Sequence, residues 1–233
     1  PIIDNENHIA WPGMFSDHKA LEEFRKNIGN DESWYEEFLL KPFPKGVCAI
    51  RHEWIKEYVK MPSFSSPDYH GTYIGIDPAI SEDESADNTA MVTASVFGHG
   101  ENLNIYIHPD PINTRLSFSK MKECIKLLAR TIVPGSLTIP IIEDVAAQKW
   151  LYDELKQAGI YSELFKIHGI EKSVRLKIAV ARMETGEVHF PKDRVKDLLT
   201  QLFGFGTERY DDLADAFSIV VGKIIEMETA EPA

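Results

Sequence analysis

Apolar positions along the chain follow two rhythms, one of two residues and one near 3.6, and the switches between them mark out its elements. Alternation over Thr72 to Ile76 predicts a short strand, with Tyr73, Gly75 and Asp77 on one face and Ile74 and Ile76 on the other. Asp77-Pro78 ends it, because proline cannot continue a ladder. A polar loop, Ser81 to Asn88, leads to a second strand over Thr89 to Phe97, and a turn at Gly98-His99-Gly100 to a third over Leu103 to His108. Ser117 to Thr131 has helical spacing, with Met121, Cys124, Ile125 and Leu128 on its inner face. Leu137 to Ile142 is an apolar run of buried-strand type; Pro140 within it removes a ladder hydrogen bond and points to a bulge. Helices follow over Ala146 to Ala158, Lys172 to Glu184, Asp193 to Phe203 and Asp212 to Met227. Short strands over Tyr161 to Phe165 and Val188 to Phe190 fall between them. In the last helix Leu213, Phe217, Val220 and Ile224 predict one buried face. Antiparallel strands first, then strand–helix alternation, give a mixed α/β sheet with helices on both faces.

Residues 1 to about 70 lack the pattern of a complete domain. Lys19 to Ile28 is helical and stops at Gly29-Asn30; Glu32 to Leu40 is a second short helix, broken at Pro42-Phe43-Pro44-Lys45-Gly46. Arg51 to Val59 fits a strand or a short helix equally well. Trp11, Trp34, Phe38 and Trp54 need a surface to bury against, and the segment offers little. It is expected to be a connector whose partner lies upstream, and Pro1 as first residue suits a fragment. After the Pro/Ser-rich linker Met61 to Asp68, the main domain is expected over 71–233.

Composition narrows the setting. The 233 residues suffice for one domain of roughly 150 residues plus an extension. No apolar run approaches the ~18 residues of a membrane span, no signal-peptide pattern opens the chain, and no membrane partner is expected. Cys48 and Cys124 are too few for a disulfide framework or a zinc site, which fits a reducing compartment. The net charge of −12 argues against a general nucleic-acid binder, so local clusters carry the chemistry.

Those clusters are acidic. Asp77 ends one strand, Glu143 ends another, and Asp211, Asp212 and Asp215 open the last helix. Capping accounts for Asp211; Asp215 lies a turn inside, among residues that must be buried. Two carboxylates about 4 Å apart repel by ~4 kcal/mol at an effective dielectric of 20, so a positive charge should offset them. If the first and fourth strands run parallel side by side, Asp77 and Glu143 face one crevice, where open α/β sheets place ligands. Carboxylate-only ligation is hard-cation chemistry, Mg²⁺ or Mn²⁺ rather than zinc, and two such ions ~4 Å apart can hydrolyse a phosphodiester.

The motifs resemble a known family. Gly75-Ile76-Asp77-Pro78-Ala79 with Asp87-Asn88-Thr89-Ala90, Ile141-Ile142-Glu143-Asp144 and Tyr210-Asp211-Asp212-Leu213-Ala214-Asp215-Ala216 are similar to the three nuclease motifs of phage terminase large subunits. Trp11-Pro12-Gly13-Met14-Phe15 and Glu36-Glu37-Phe38-Leu39-Leu40-Lys41-Pro42 resemble the tail of that family's ATPase domain. The resemblance implies an RNase H-like fold with a mixed sheet of five strands or slightly more. It implies an endonuclease of viral genome packaging that cuts concatemeric double-stranded DNA with two Mg²⁺ or Mn²⁺ ions, in the cytoplasm of the bacterial host. Asp77, Glu143, Asp212 and Asp215 become catalytic metal ligands, with Asp211 a further candidate ligand, while Asp87 and Asp144 are read first as surface residues and second as outer acids. The implied partners are double-stranded DNA, an upstream ATPase domain, the portal and the small terminase subunit. No Gly-x-x-x-x-Gly-Lys-Ser/Thr occurs, so ATP hydrolysis is not expected of this chain.

An acidic centre needs a basic rim to hold DNA, and Lys166, His168, Lys172, Arg175, Lys177 and Arg182 are its candidates, with Lys192, Arg194 and Lys196 a weaker cluster. Lys172 and Arg175 stand near a helix start, where the dipole does not favour a cation. Two rival readings remain: another RNase H-like nuclease such as a junction resolvase, and a non-catalytic module docking the motor or portal.

Overall fold

The structure is a computed structural model that describes residues 1–3, 8–28, 34–40, 50–78, 88–133, 135–145, 148–166, 172–205 and 211–230. Gly29-Asn30, the Pro42-to-Gly46 break, the 81–87 part of the polar loop with Asp87, residues 146–147, His168 and Tyr210 lie outside them. The chain divides into two compact units, Pro1–Ala49 and Ile50–Ala233.

The first unit has a small core of its own. Helix α1, His18–Ile28, starts where Asp17 Oδ1 accepts the Ala20 N–H at 2.8 Å, an N-cap. Ile2, Phe15, Leu21 and Trp34 are buried together, with Phe24 and Phe38 packed against them. Trp34 was expected to lack a surface; it finds one by stacking on Phe38 at 5.6 Å, inside a π-helical turn at Trp34–Phe38 where a helix to Leu40 was expected. Trp11 stays 52% exposed.

The second unit is built on one mixed sheet of eight strands: β1 Lys56–Tyr58, β2 Tyr69–Asp77, β3 Thr89–Phe97, β4 Asn104–Ile107, β5 Ile112–Thr114, β6 Thr138–Glu143, β7 Glu163–Phe165 and β8 Val188–Pro191. They lie in the order β1-β8-β4-β3-β2-β6-β7, with β5 also pairing β3. Strand β3 runs antiparallel to β2 and β4, while β2, β6 and β7 run parallel, as do β4, β8 and β1. Strand β5 escaped the pattern, its three residues being too few for alternation, and β1 resolves Arg51 to Val59, open between strand and helix, as a 3₁₀ turn followed by a strand. Strand β1 takes residues expected in the connector and makes them an edge of the sheet.

Among the described residues, five helices cover the sheet: α2 Phe118–Thr131, α3 Lys149–Gln157, α4 Lys172–Glu184, α5 Lys196–Phe203 and α6 Asp212–Thr229. Ile74 and Ile76 bury against Met121 and Ile125 of α2 and Leu151 and Leu155 of α3. The opposite face carries Gly75, over which α6 passes with α4 and α5 stacked beyond it. A single buried face was expected of α6; instead its first ten residues, Asp212 to Val221, are buried all round, because the sheet covers one side and α4 and α5 the other. The bulge expected at Pro140 is absent. Register with β2 runs unbroken from Thr72↔Thr138 to Ile76↔Ile142, and β7 pairs only from Ile141 onward. At Pro140 one side of β6 is therefore an open edge, where a missing donor costs least.

Strand β2 and helix α6 approach closely at Gly75. A Cβ there would meet the Ala216 carbonyl oxygen and come within 2.8 Å of Val220 Cβ and 2.9 Å of Val220 N. Gly75→Ala is expected to destabilise the protein by roughly 3 kcal/mol or more, read as a lowered urea midpoint, because α6 must lift off β2.

Candidate active site

Parallel pairing of β2 with β6 carries both strands to the same edge of the sheet. Asp77 and Glu143 are the next residues after the paired Ile76 and Ile142, so they stand side by side at that edge. Asp77 shares the face of Gly75, the face on which α6 lies. The first turn of α6 brings Asp212, 7% exposed, and Asp215, 2% exposed, to the same place. Four acids from three separate stretches of the chain thus come together in one cluster, and the charges of the other three are felt at Asp77. Burial, then the nearby Asp215, pushes its carboxyl up to about 7, with Asp212 and Glu143 adding and Lys172 opposing.

Side-chain cations enter the pocket from α4. Lys172 Nζ donates a hydrogen bond to Asp215 Oδ2 and lies 4.0 Å from Asp211 Oδ1. Arg175, 5% exposed, stands between two acids: Nη1 is 3.4 Å from Glu143 Oε1 and Nη2 is 3.7 Å from Asp215 Oδ1. Neither contact is a hydrogen bond, and Arg175 Nε and Nη1 and Asp215 Oδ1 are all buried without hydrogen-bond partners. Burial raises the Asp215 pKa, against the pull of Lys172 and Arg175. Burial alone would lower that of Lys172, but its bond to Asp215 and the surrounding carboxylates raise it.

The DNA-facing rim assigned from sequence therefore splits. Arg175 is inside the pocket, not on a rim, and Lys172 is half in it. Lys166 and Lys177 are exposed and make no ion pair among the described residues. Arg182 donates to Glu187 at 2.9 and 3.0 Å. Asp144 continues past β6, its N–H donating to Phe165 O at 2.8 Å.

Capping of α6 also differs from expectation. Asp211 occupies the N-cap position but makes no side-chain cap bond; its carboxylate points toward Lys172. The Leu213 N–H is taken instead by Gln201 Oε1, at 2.7 Å, from the buried side of α5. Gln201 was missed from sequence, although its place between Leu198 and Leu202 on the inner stripe of α5 is a readable signal.

Oxygen-only donors suit a hard divalent cation, and burial, followed by the neighbouring carboxylates, is what raises the Asp77 pKa there. Among the described residues no three His, Cys, Asp or Glu groups stand close enough to enclose one ion. Lys172 and Arg175 lie between the carboxylates that would do so. The residues fit the cation in chemistry, with spacing set by two interposed side-chain charges.

No protein-family profile matches the sequence, and no curated protein matches it. Solved structures match the fold. The nuclease domain of human cytomegalovirus terminase, Mn-soaked and inhibitor-bound, has a TM-score of 0.52 at 16% identity, over 76% of this chain and 95% of its own. The large terminase of the thermophilic bacteriophage D6E has a TM-score of 0.55 at 12% identity, over 77% of this chain and 44% of its own. In complex with ADP that protein gives 0.53 at 11% identity. The chain spans less than half the length of the D6E protein.

A carboxyl whose folded pKa lies above its unfolded value favours the folded state only while protonated. For Asp77 stability should fall as pH rises from about 4 toward 7 and level off beyond. In EDTA, Asp77→Asn is expected to flatten most of that decline, by an amount on the order of a few kcal/mol, read as Tm against pH.

Proposed function

We propose that this chain, whose fold is the RNase H-like fold of terminase large-subunit nuclease domains, is the endonuclease portion of a viral genome-packaging terminase. One observation carries the reading: strand-end acids Asp77 and Glu143 and helix acids Asp212 and Asp215 gather in one pocket at a cost to stability, visible in Asp77. Perturbed carboxyls of this kind cluster where chemistry needs them. Acids retained for stability alone, as in the docking-module reading, would be paired and low in pKa. No observation favours a resolvase.

In this proposal Asp77, Glu143, Asp212 and Asp215 hold Mg²⁺ or Mn²⁺, with Asp211 at the entrance. The bound cation would activate water and stabilise the leaving oxygen of a phosphodiester. The protein's own part is to fix the acids. Parallel pairing sets Asp77 beside Glu143, Gly75 lets α6 seat Asp212 and Asp215 over Asp77, and Arg175 spans Glu143 and Asp215. Exposed Lys166 and Lys177 would contact DNA phosphates without reading sequence, making binding strongly salt-dependent. The sequence resemblance adds the setting: concatemeric double-stranded DNA as substrate, the portal, the small subunit and an upstream ATPase domain as partners, and the host cytoplasm as compartment. It also assigns residues 1–70 to the tail of that ATPase domain and its linker.

Purified protein is expected to nick and linearise supercoiled plasmid in Mg²⁺ or Mn²⁺ and not in EDTA. Asp77→Ala and Glu143→Ala should each lower the rate at least about 100-fold while leaving the circular-dichroism spectrum unchanged. Full cleavage by Asp77→Ala would remove the pocket from the chemistry.

A further inference from the structure

The Lys172 ammonium has no local reason to lie where it does. It opens α4, where the helix dipole repels a cation, and its side chain is 56% exposed, so open water is available to it. It turns inward and donates to Asp215 Oδ2, a carboxylate only 3% exposed, and its charge reaches Asp211 and Asp77. On the Asp215 side of the pocket, the position that a cation would take is held by an ammonium.

Arg175 differs in kind. Its guanidinium is buried between Glu143 and Asp215, so it is a fixed part of the cluster, and moving it out would leave the buried Asp215 carboxylate without that charge. Lys172 sits on a flexible stem that opens to solvent, and nothing but carboxylates holds its tip. Among the described residues no lysine pairs with Asp77 or Glu143; Glu143 faces only the Arg175 guanidinium, at 3.4 Å. Lys172 and Arg175 are the two side-chain cations set among these carboxylates, and removing the Lys172 charge leaves Asp215 and Asp211 with one more negative charge for a metal ion to offset.

Resting on the reading of this pocket as a metal site, we infer that Lys172 takes the place of one of the two metal ions expected there, so that the protein binds a single divalent cation at the Asp77–Glu143 side. Lys172 is in this view a positioning residue: it holds Asp215 and sets how many ions the carboxylates accept.

The test is isothermal titration of the full chain with MnCl₂ as the only divalent salt. The wild-type protein is expected to take one Mn²⁺ per chain and Lys172→Met two. Lys172→Arg, which keeps the charge, should take one, as should Lys177→Met, which removes a charge from the exposed side of the same helix. Lys172→Gln replaces the methionine variant if that one does not fold. Equal stoichiometry in the wild-type and the neutral Lys172 variants overturns the inference, as does a second ion in Lys172→Arg or Lys177→Met. Two ions in the wild type overturn it while leaving the nuclease reading intact; no saturable binding in any variant removes both.

Discussion

The seating of α6 on β2 is the contact on which the site depends. A glycine at position 75 lets the helix backbone come within reach of the strand, and no side chain could intervene. That approach fixes the height of the first turn of α6 above the sheet, and with it the position of Asp212 and Asp215 relative to Asp77. Farther along, Lys223 is buried and pairs with Glu163 of β7 at 3.2 Å, tying the other half of the helix to the sheet. The helix is thus held at both ends: by backbone proximity over β2, and by a charge pair over β7. Its own N–H groups are served from α5 through Gln201, so α6 depends on its neighbours for capping as well as burial.

Against this rigid frame the acids are costly. Burial and mutual repulsion both disfavour ionisation at Asp77, and the protein answers with cations on a single helix, α4. Compensation is incomplete, since buried oxygen and nitrogen atoms in the cluster are left without hydrogen bonds. Such a pocket is poorly explained as a stabilising feature, because partly satisfied polar networks cost more than apolar packing of the same volume. It is well explained as a place shaped for an external charge.

Much of this was legible in the sequence, and the omissions have physical reasons. Alternation put Asp77 opposite Ile74 and Ile76, and β2 keeps that division. The strand-end acids and the condition that their strands pair in parallel could be stated in advance, and β2 and β6 meet that condition. Helix α4 was bounded correctly by periodicity alone. What failed was weighing a residue by its charge rather than its position. Arg175 read as part of a basic rim, yet it lies at i, i+4 and i+8 with Ala179 and Met183, on the buried stripe of α4. Position outranked polarity there, as it did for Gln201 on α5. Pro140 misled in the other direction, because its effect depends on where β7 begins, a tertiary fact absent from the local string. Strand β5 is defined by the partner it lies against, and β1 could be told from a helix only by its pairing with β8.

Strand β1 has a practical corollary for any shortened form of the protein. It pairs with β8 through Lys56↔His189, Glu57↔Phe190 and Tyr58↔Pro191, and so covers β8 with an edge strand only three residues long. A polypeptide begun at residue 70 would leave the outer N–H and C=O groups of β8 unsatisfied, a ready template for pairing with a second molecule. Such a truncation invites self-association even with every acid of the pocket in place, and the piece that behaves as a monomer has to begin before Lys56.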